Sequence, residues 1–109
     1  MQPKLPAILD RYFAAQNALD AEAMAACFAP DGKVHDEGQD YVGRDAIREW
    51  KRRTITKYGI SIEPLEVSDA AGSTTVIARV AGNFPGSPTN LSYRLGFSAD
   101  GLIDTLEIH

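Results

Sequence analysis

Residues 44–62 read RDAIREWKRRTITKYGISI, and the hydrophobic period changes inside that stretch. Ile47, Trp50, Thr54 and Ile55 recur at helical spacing, so a helix over Arg44–Lys57 turns them to one side. Tyr58-Gly59 ends it. From Ile60 the pattern alternates instead, and no helical period returns. Three turn signals, Ala71-Gly72-Ser73, Pro85-Gly86-Ser87-Pro88 and Asp100-Gly101, divide the remainder into strands at 60–69, 74–84, 89–98 and 102–108. Asp100-Gly101 is the pair that a two-residue type I′ hairpin prefers. Hairpins in series predict an antiparallel meander with one face left for helices to cover.

The half of the chain before this point supplies the helices. Leu5, Ile8, Leu9, Tyr12 and Phe13 form one stripe of an amphipathic helix, with Pro6 in its first turn, where no amide donor is needed. Asp20 is placed to cap a second helix that buries Met24, Cys27 and Phe28 and stops at Pro30-Asp31-Gly32. A short strand, Lys33–Glu37, and a polar loop through Gly38, Asp40 and Gly43 complete the order. The expected fold is α+β: a curved antiparallel sheet of five strands packed against three helices, in one domain spanning residues 1–109.

Bulk properties narrow the function. A length of 109 residues with 44% hydrophobic content fits one core. A formal charge of −4 and a pI near 5.0 argue against nucleic acid and against an anionic membrane as partners. The single cysteine, Cys27, forms no internal disulfide and reads as a small buried hydrophobe. With His35 and His109 the only histidines, no His- or thiolate-rich metal site is expected, and no cofactor is implied. No run approaches the ~20 apolar residues of a membrane span. The first residues lack the apolar run of a signal peptide, which makes the cytoplasm the expected compartment. A small core that also holds a pocket gains from a partner subunit. The expectation is a homodimer through the outer sheet face, where Ile77 and Ala81 alternate with Val76, Ala78 and Val80.

The informative residues are polar groups on apolar faces. Val34 and Asp36 share one face of their strand, while Lys33, His35 and Glu37 share the other; a core-facing Val34 therefore brings Asp36 with it. Leu91, Tyr93, Leu95 and Phe97 make the inward face of the 89–98 strand, and Tyr12 lies in the first helical stripe. Each tyrosine alone reads as a core filler with a satisfied hydroxyl. Asp36 differs, because a carboxylate facing a core is rare unless it is paired, functional or solvated at a strand end. In an apolar pocket lined by Phe28, Val34, Trp50, Val80, Phe84 and Leu106, loss of hydration should raise its pKa toward the range of a working general base. Two neutral phenols, Tyr12 and Tyr93, would donate hydrogen bonds to a carbonyl oxygen that turns negative as the adjacent carbon loses a proton. Asp104 shares an alternation face with Leu106 and Ile108. If it reached the pocket, it would pair with Asp36 to activate water, as a hydrolase requires. The third helix holds Arg44, Arg48, Lys51, Arg52, Arg53 and Lys57; of these, the i, i+4 stripe Arg44, Arg48 and Arg52 reads as a solvated face turned away from Trp50, with a site for an acidic ligand or partner the competing reading. His35 is expected on the outer sheet face.

Three segments carry a resemblance: Arg11-Tyr12-Phe13-Ala14-Ala15-Gln16-Asn17, then Phe28-Ala29-Pro30-Asp31-Gly32-Lys33-Val34-His35-Asp36, then Gly43-Arg44-Asp45-Ala46-Ile47-Arg48-Glu49-Trp50. In these the chain resembles the SnoaL-like and ketosteroid isomerase-like members of the nuclear transport factor 2-like superfamily. The resemblance implies a cone-shaped (cystatin-like) α+β fold. It aligns Tyr12 with the isomerase's oxyanion-hole tyrosine, Asp36 with its proton-shuttling aspartate, and Tyr93 with a second donor that is a protonated aspartic acid in the isomerase. A phenol with pKa ~10 is a donor at neutral pH without tuning. The implied activity is a cofactor-independent isomerase or cyclase acting on a small apolar carbonyl compound. The competing class is a non-catalytic ligand-binding module.

Overall fold

The computed structural model describes residues 5–36, 38–70 and 72–109. Glu37, Ala71 of the first turn signal and the Met1–Lys4 segment lie outside the described residues. The order is α1 (Ala7–Asn17), α2 (Ala21–Ala26), β1 (Phe28–Asp36), β2 (Gln39–Val42), α3 (Arg44–Tyr58), β3 (Ser61–Ala70), β4 (Ser73–Ala81), β5 (Thr89–Phe97) and β6 (Ile103–Ile108). The strands form one mixed sheet in the order β2-β1-β6-β5-β4-β3. All neighbouring pairs are antiparallel except β1 and β6, which run parallel. The α+β architecture follows the sequence pattern. Five details depart from it.

The sheet has six strands among the described residues, because Gln39–Val42 pairs with β1 where a polar loop was expected. Only Tyr41 of this edge strand has an apolar partner, the Trp50 ring stacked on it at 5.2 Å, so no alternation announces it. The second helix stops at Ala26, and Phe28 already belongs to β1. Pro30-Asp31-Gly32, read as a stop, lies inside β1 as a bulge. Phe28 pairs with Ile103 and Lys33 with Thr105, so the intervening residues loop out of the ladder, where proline's missing donor costs nothing. Antiparallel pairing throughout fails at β1 and β6, which are too far apart in the chain for a hairpin to set their direction. At Asp100-Gly101 the connection is not a two-residue turn. Ser98 N–H donates to the Leu102 carbonyl at 2.8 Å and Gly101 N–H to the Ser98 carbonyl at 3.0 Å. Gly101 takes φ 80° as the third loop residue, the three-residue alternative to type I′.

The core lies between the helices and the concave face of the sheet. Leu9, Met24, Phe28, Val34, Ile47 and Leu95 are fully buried there. At the end of α1, Asn17 acts as a substitute strand: its side-chain amide donates to the Ile62 carbonyl at 3.0 Å and accepts from the Ile62 N–H at 2.7 Å. This pair of hydrogen bonds fixes the start of β3 against α1. On the outer face Ile77 is half-buried between Glu66 and Ser92 in the ladders, and Ala81 is also half-buried. No helix among the described residues is long and apolar enough to cross a membrane.

Candidate functional site

A cavity of about 410 Å³ opens between the second half of α3 and the end of the sheet. Trp50, Lys51, Thr54 and Tyr58 form the helical wall, and Val80, Leu91, Tyr93 and Ile108 the sheet wall. Phe84 and Pro85, on the connection after β4, close the rim. That connection is held against the end of α3: Asn83 N–H donates to the Tyr58 carbonyl at 2.8 Å, and the Phe84 ring meets Tyr58 edge to face at 6.1 Å. Gly82 makes the approach possible, since a Cβ there would sit 2.7 Å from the Tyr58 carbonyl oxygen.

Besides Thr54 and Tyr58, four polar side chains interrupt the apolar lining: Asp36, Tyr93, Gln16 and Lys51. Asp36 is there by strand alternation, with Gly32 and Val34 buried, Lys33 and His35 exposed, and Asp36 half-buried at the end of β1. Tyr93 points inward from β5, its ring packed edge to face on Phe13 at 5.9 Å. Burial, reinforced by the Asp36 charge, pushes its phenol well above the ordinary value, so it remains a neutral donor. Gln16 spans two elements: its amide nitrogen donates to the Ile60 carbonyl at 3.1 Å, while its oxygen accepts from Lys51 Nζ at 3.2 Å.

Lys51 is the unexpected member. It is 4% exposed. Its amine lies 4.1 Å from the Trp50 ring centroid and 5.3 Å from that of Tyr12. Burial pushes the amine from its ordinary 10.5 down to about 7, with the Asp36 carboxylate pulling it partly back up. Of the stripe expected on a solvated face, Arg52 is exposed, whereas Arg44 and Arg48 are half-buried, Arg44 donating to the Phe28 carbonyl at 2.8 Å. Lys51, however, follows Ile47 by four residues and therefore falls on the buried stripe. That spacing was the signal available in the sequence.

Of the other expected site residues, Trp50, Val80 and Phe84 stand on the cavity wall with Asp36 and Tyr93. Phe28, Val34 and Leu106 do not. They sit deeper in the packed core, where α1, α2 and the sheet close on one another. Tyr12 is also behind the wall, fully buried between the rings of Phe13 and Phe28 at 5.6 and 5.7 Å. Its hydroxyl has no hydrogen-bond partner among the described residues. Burial raises its pKa, and Tyr93, Cys27 and Asp36 add to the rise. Asp104 is half-buried and lies outside the cavity lining, so it is not brought together with Asp36. The reason lies in β6, where Ile103 and Leu106 are both buried and simple alternation breaks. His35 is on the opposite sheet face, 2.6 Å from Asp40. Among the described residues no group of three or more His, Cys, Asp or Glu side chains could hold a metal ion.

The SnoaL-like domain family model matches residues 9–102. The chain is similar to a candidate polyketide cyclase from Sinorhizobium meliloti, at 39% identity over 96% of this chain and 95% of that one, with a TM-score of 0.90. Two more distant structures share the fold. One is a protein with a ketosteroid isomerase-like fold from Catenulispora acidiphila, in complex with trimethylamine (24% identity, 97% and 86% coverage, TM-score 0.84). The other is the epoxide hydrolase/cyclase-like enzyme of pyran ring formation in the polyether salinomycin (22% identity, 93% and 85% coverage, TM-score 0.77). No curated protein matches the sequence.

Proposed function

The chain belongs to the SnoaL-like domain family, and from that premise we propose that it isomerises or cyclises a small apolar carbonyl compound by acid–base chemistry without a cofactor. The observation that carries this reading is the placement of Asp36 and Tyr93 on the wall of one cavity whose other sheet-side residues are Val80, Leu91 and Ile108. A ligand with its carbonyl oxygen toward Tyr93 presents the adjacent carbon to Asp36. The carboxylate takes the proton as the phenol donates to the oxygen that gains charge, and the electron pair is held as an enolate. Return of the proton at another carbon is an isomerisation. Attack of the enolate carbon on a second electrophilic carbon is a ring closure. The apolar walls strengthen both interactions by excluding water.

Asp36→Asn tests the reading. Positioned proton transfer contributes roughly 10²–10⁴-fold, so deuterium uptake from solvent into an enolisable ketone, followed by NMR, should fall by that order. Binding of the same ketone, followed by quenching of the Trp50 fluorescence, should persist. Undiminished uptake would remove Asp36 as the base. Binding without uptake in the parent protein would favour a non-catalytic ligand-binding module.

A further inference from the structure

The base-and-phenol chemistry leaves one wall group unused. Lys51 reaches the cavity from α3 across the face of Trp50, and Gln16 Oε1 takes one of its N–H bonds. The ring faces of Trp50 and Tyr12 lie against the amine, and the Asp36 charge acts on it. An amine held almost without water beside an apolar cavity is a nucleophile rather than a surface charge.

We propose that Lys51 is a covalent site for the ligand, its Nζ condensing with the carbonyl carbon to form an imine. The inference rests on the reading that the cavity takes a small apolar carbonyl compound. The Nζ lone pair adds to the carbonyl carbon and the C–O π pair moves to oxygen. Both amine hydrogens then leave with that oxygen as water, and C=N replaces C=O. Protonated on nitrogen, the iminium draws electrons from the adjacent carbon. Asp36 takes the proton released there, and the pair is stored as an enamine. No oxidant or reductant enters. An enamine carbon attacks a second carbonyl as an enolate does, so the same step serves isomerisation and ring closure.

The titration of the amine agrees with this geometry. At about 7, half of Lys51 is unprotonated at neutral pH, whereas an ordinary lysine is almost wholly charged. The groups facing it are Asp36 from β1, Tyr12 from α1, Tyr93 from β5 and Tyr58 on its own helix. Of these, Asp36 raises the amine's pKa, and the phenols of Tyr12 and Tyr93 are themselves pushed up and stay neutral.

The probe is 2,4-octanedione, an apolar 1,3-diketone. An unprotonated amine converts it to an enaminone: one N–C bond forms, one C–O bond breaks, and water leaves with one hydrogen from nitrogen and one from the central carbon. Intact-mass and peptide analysis of the full chain should find one adduct, on Lys51. At pH 8 it should form roughly 10–100-fold faster than on exposed Lys33 or Lys57, with a rate that rises through about pH 7. Lys51→Met should lose the adduct while still binding the diketone. Diketone bound by fluorescence but no adduct on Lys51, or equal labelling of Lys33, Lys57 and Lys51, overturns the inference and leaves the carbonyl-pocket reading in place. An adduct on Lys51 with deuterium uptake independent of Asp36 sustains the imine and removes the proposed base. Neither binding nor adduct overturns both.

Discussion

Replacing Lys51 with methionine should stabilise the protein at neutral pH and flatten its stability above neutrality. The unfolded chain keeps this amine protonated until about pH 10, whereas the folded chain releases the proton near 7. Below about 7 the group is charged in both states and the fold carries the full cost of burying the charge. Between about 7 and 10 the unfolded state binds the extra proton, so stability rises with pH. A depression from 10.5 to about 7 corresponds to about 5 kcal/mol across the whole window, of which about 2 kcal/mol falls between pH 7 and 9. In Lys51→Met the linear thioether chain keeps the packing on Trp50 and removes the charge. It gives up the Gln16 hydrogen bond, so a net gain of about 1–4 kcal/mol at pH 7 is expected. Urea unfolding followed by Trp50 fluorescence at pH 6, 7, 8 and 9 measures both effects. Subtracting variant from parent at each pH isolates this group from the other titrations. Adding Asp36→Asn removes the carboxylate that holds the amine up, and should move the rise to lower pH. Equal slopes for parent and Lys51→Met between pH 7 and 9 would refute the reasoning. The amine would then be hydrated in the folded state, whatever its packing.

Four further substitutions separate cavity from core. Tyr12→Phe removes a buried hydroxyl without a partner, so it should leave deuterium uptake intact and change stability by about +1 kcal/mol. Tyr93→Phe should instead lower uptake roughly 10-fold or more, as expected of a donor to developing charge, and the pair should be compared in one NMR assay. Asn17→Ala breaks both bonds to Ile62 and should cost about 2 kcal/mol in urea unfolding, with the amides at the start of β3 losing hydrogen-exchange protection. Gly82→Ala forces a Cβ against the Tyr58 carbonyl oxygen; it should destabilise by about 1–3 kcal/mol and weaken ketone binding by moving Phe84 and Pro85.

The parts of the fold that were legible are those in which burial imposes a period. The β4 alternation of Val76, Ala78 and Val80 and the α3 stripe of Ile47 and Trp50 each face the core, and the pattern records that. β2 was illegible because one residue in four, Tyr41, has an apolar neighbour. Its pairing is carried by backbone bonds to β1 that any sequence without proline can make. Pro30-Asp31-Gly32 misled because the same triplet serves a helix stop and a strand bulge, and only the distant β6 decides between them. The site divides in the same way. The inward direction of Asp36 and Tyr93, which brings both to the cavity wall, was legible because a polar residue on an apolar strand face is a visible contradiction. Phe28, Val34 and Leu106 share inward faces with the cavity residues, but depth within the core is a property of packing, which no single strand encodes. Lys51 was lost among five other basic residues on its helix, although its distance of four from Ile47 set it apart.

The burial of Lys51 bears on how the site is built. A domain of this length has a total stability of roughly 5–15 kcal/mol, and a buried amine that costs several of them at neutral pH is a large concession. Methionine or leucine at position 51 would fill the same space between Trp50 and Tyr12 at no such cost. The surroundings soften the cost without abolishing it. Gln16, itself pinned to Ile60, supplies one acceptor; two ring faces supply weak attraction; Asp36, which lines the same cavity, supplies opposite charge. An arrangement optimised for stability would expose the amine or hold its pKa high. This one leaves the amine near the middle of its titration at neutral pH, on the wall of a cavity, which is the condition for donating, accepting or sharing electrons with a guest. The burial of this amine on the cavity wall, where an apolar side chain would serve the fold better, is the physical ground on which the imine proposal stands.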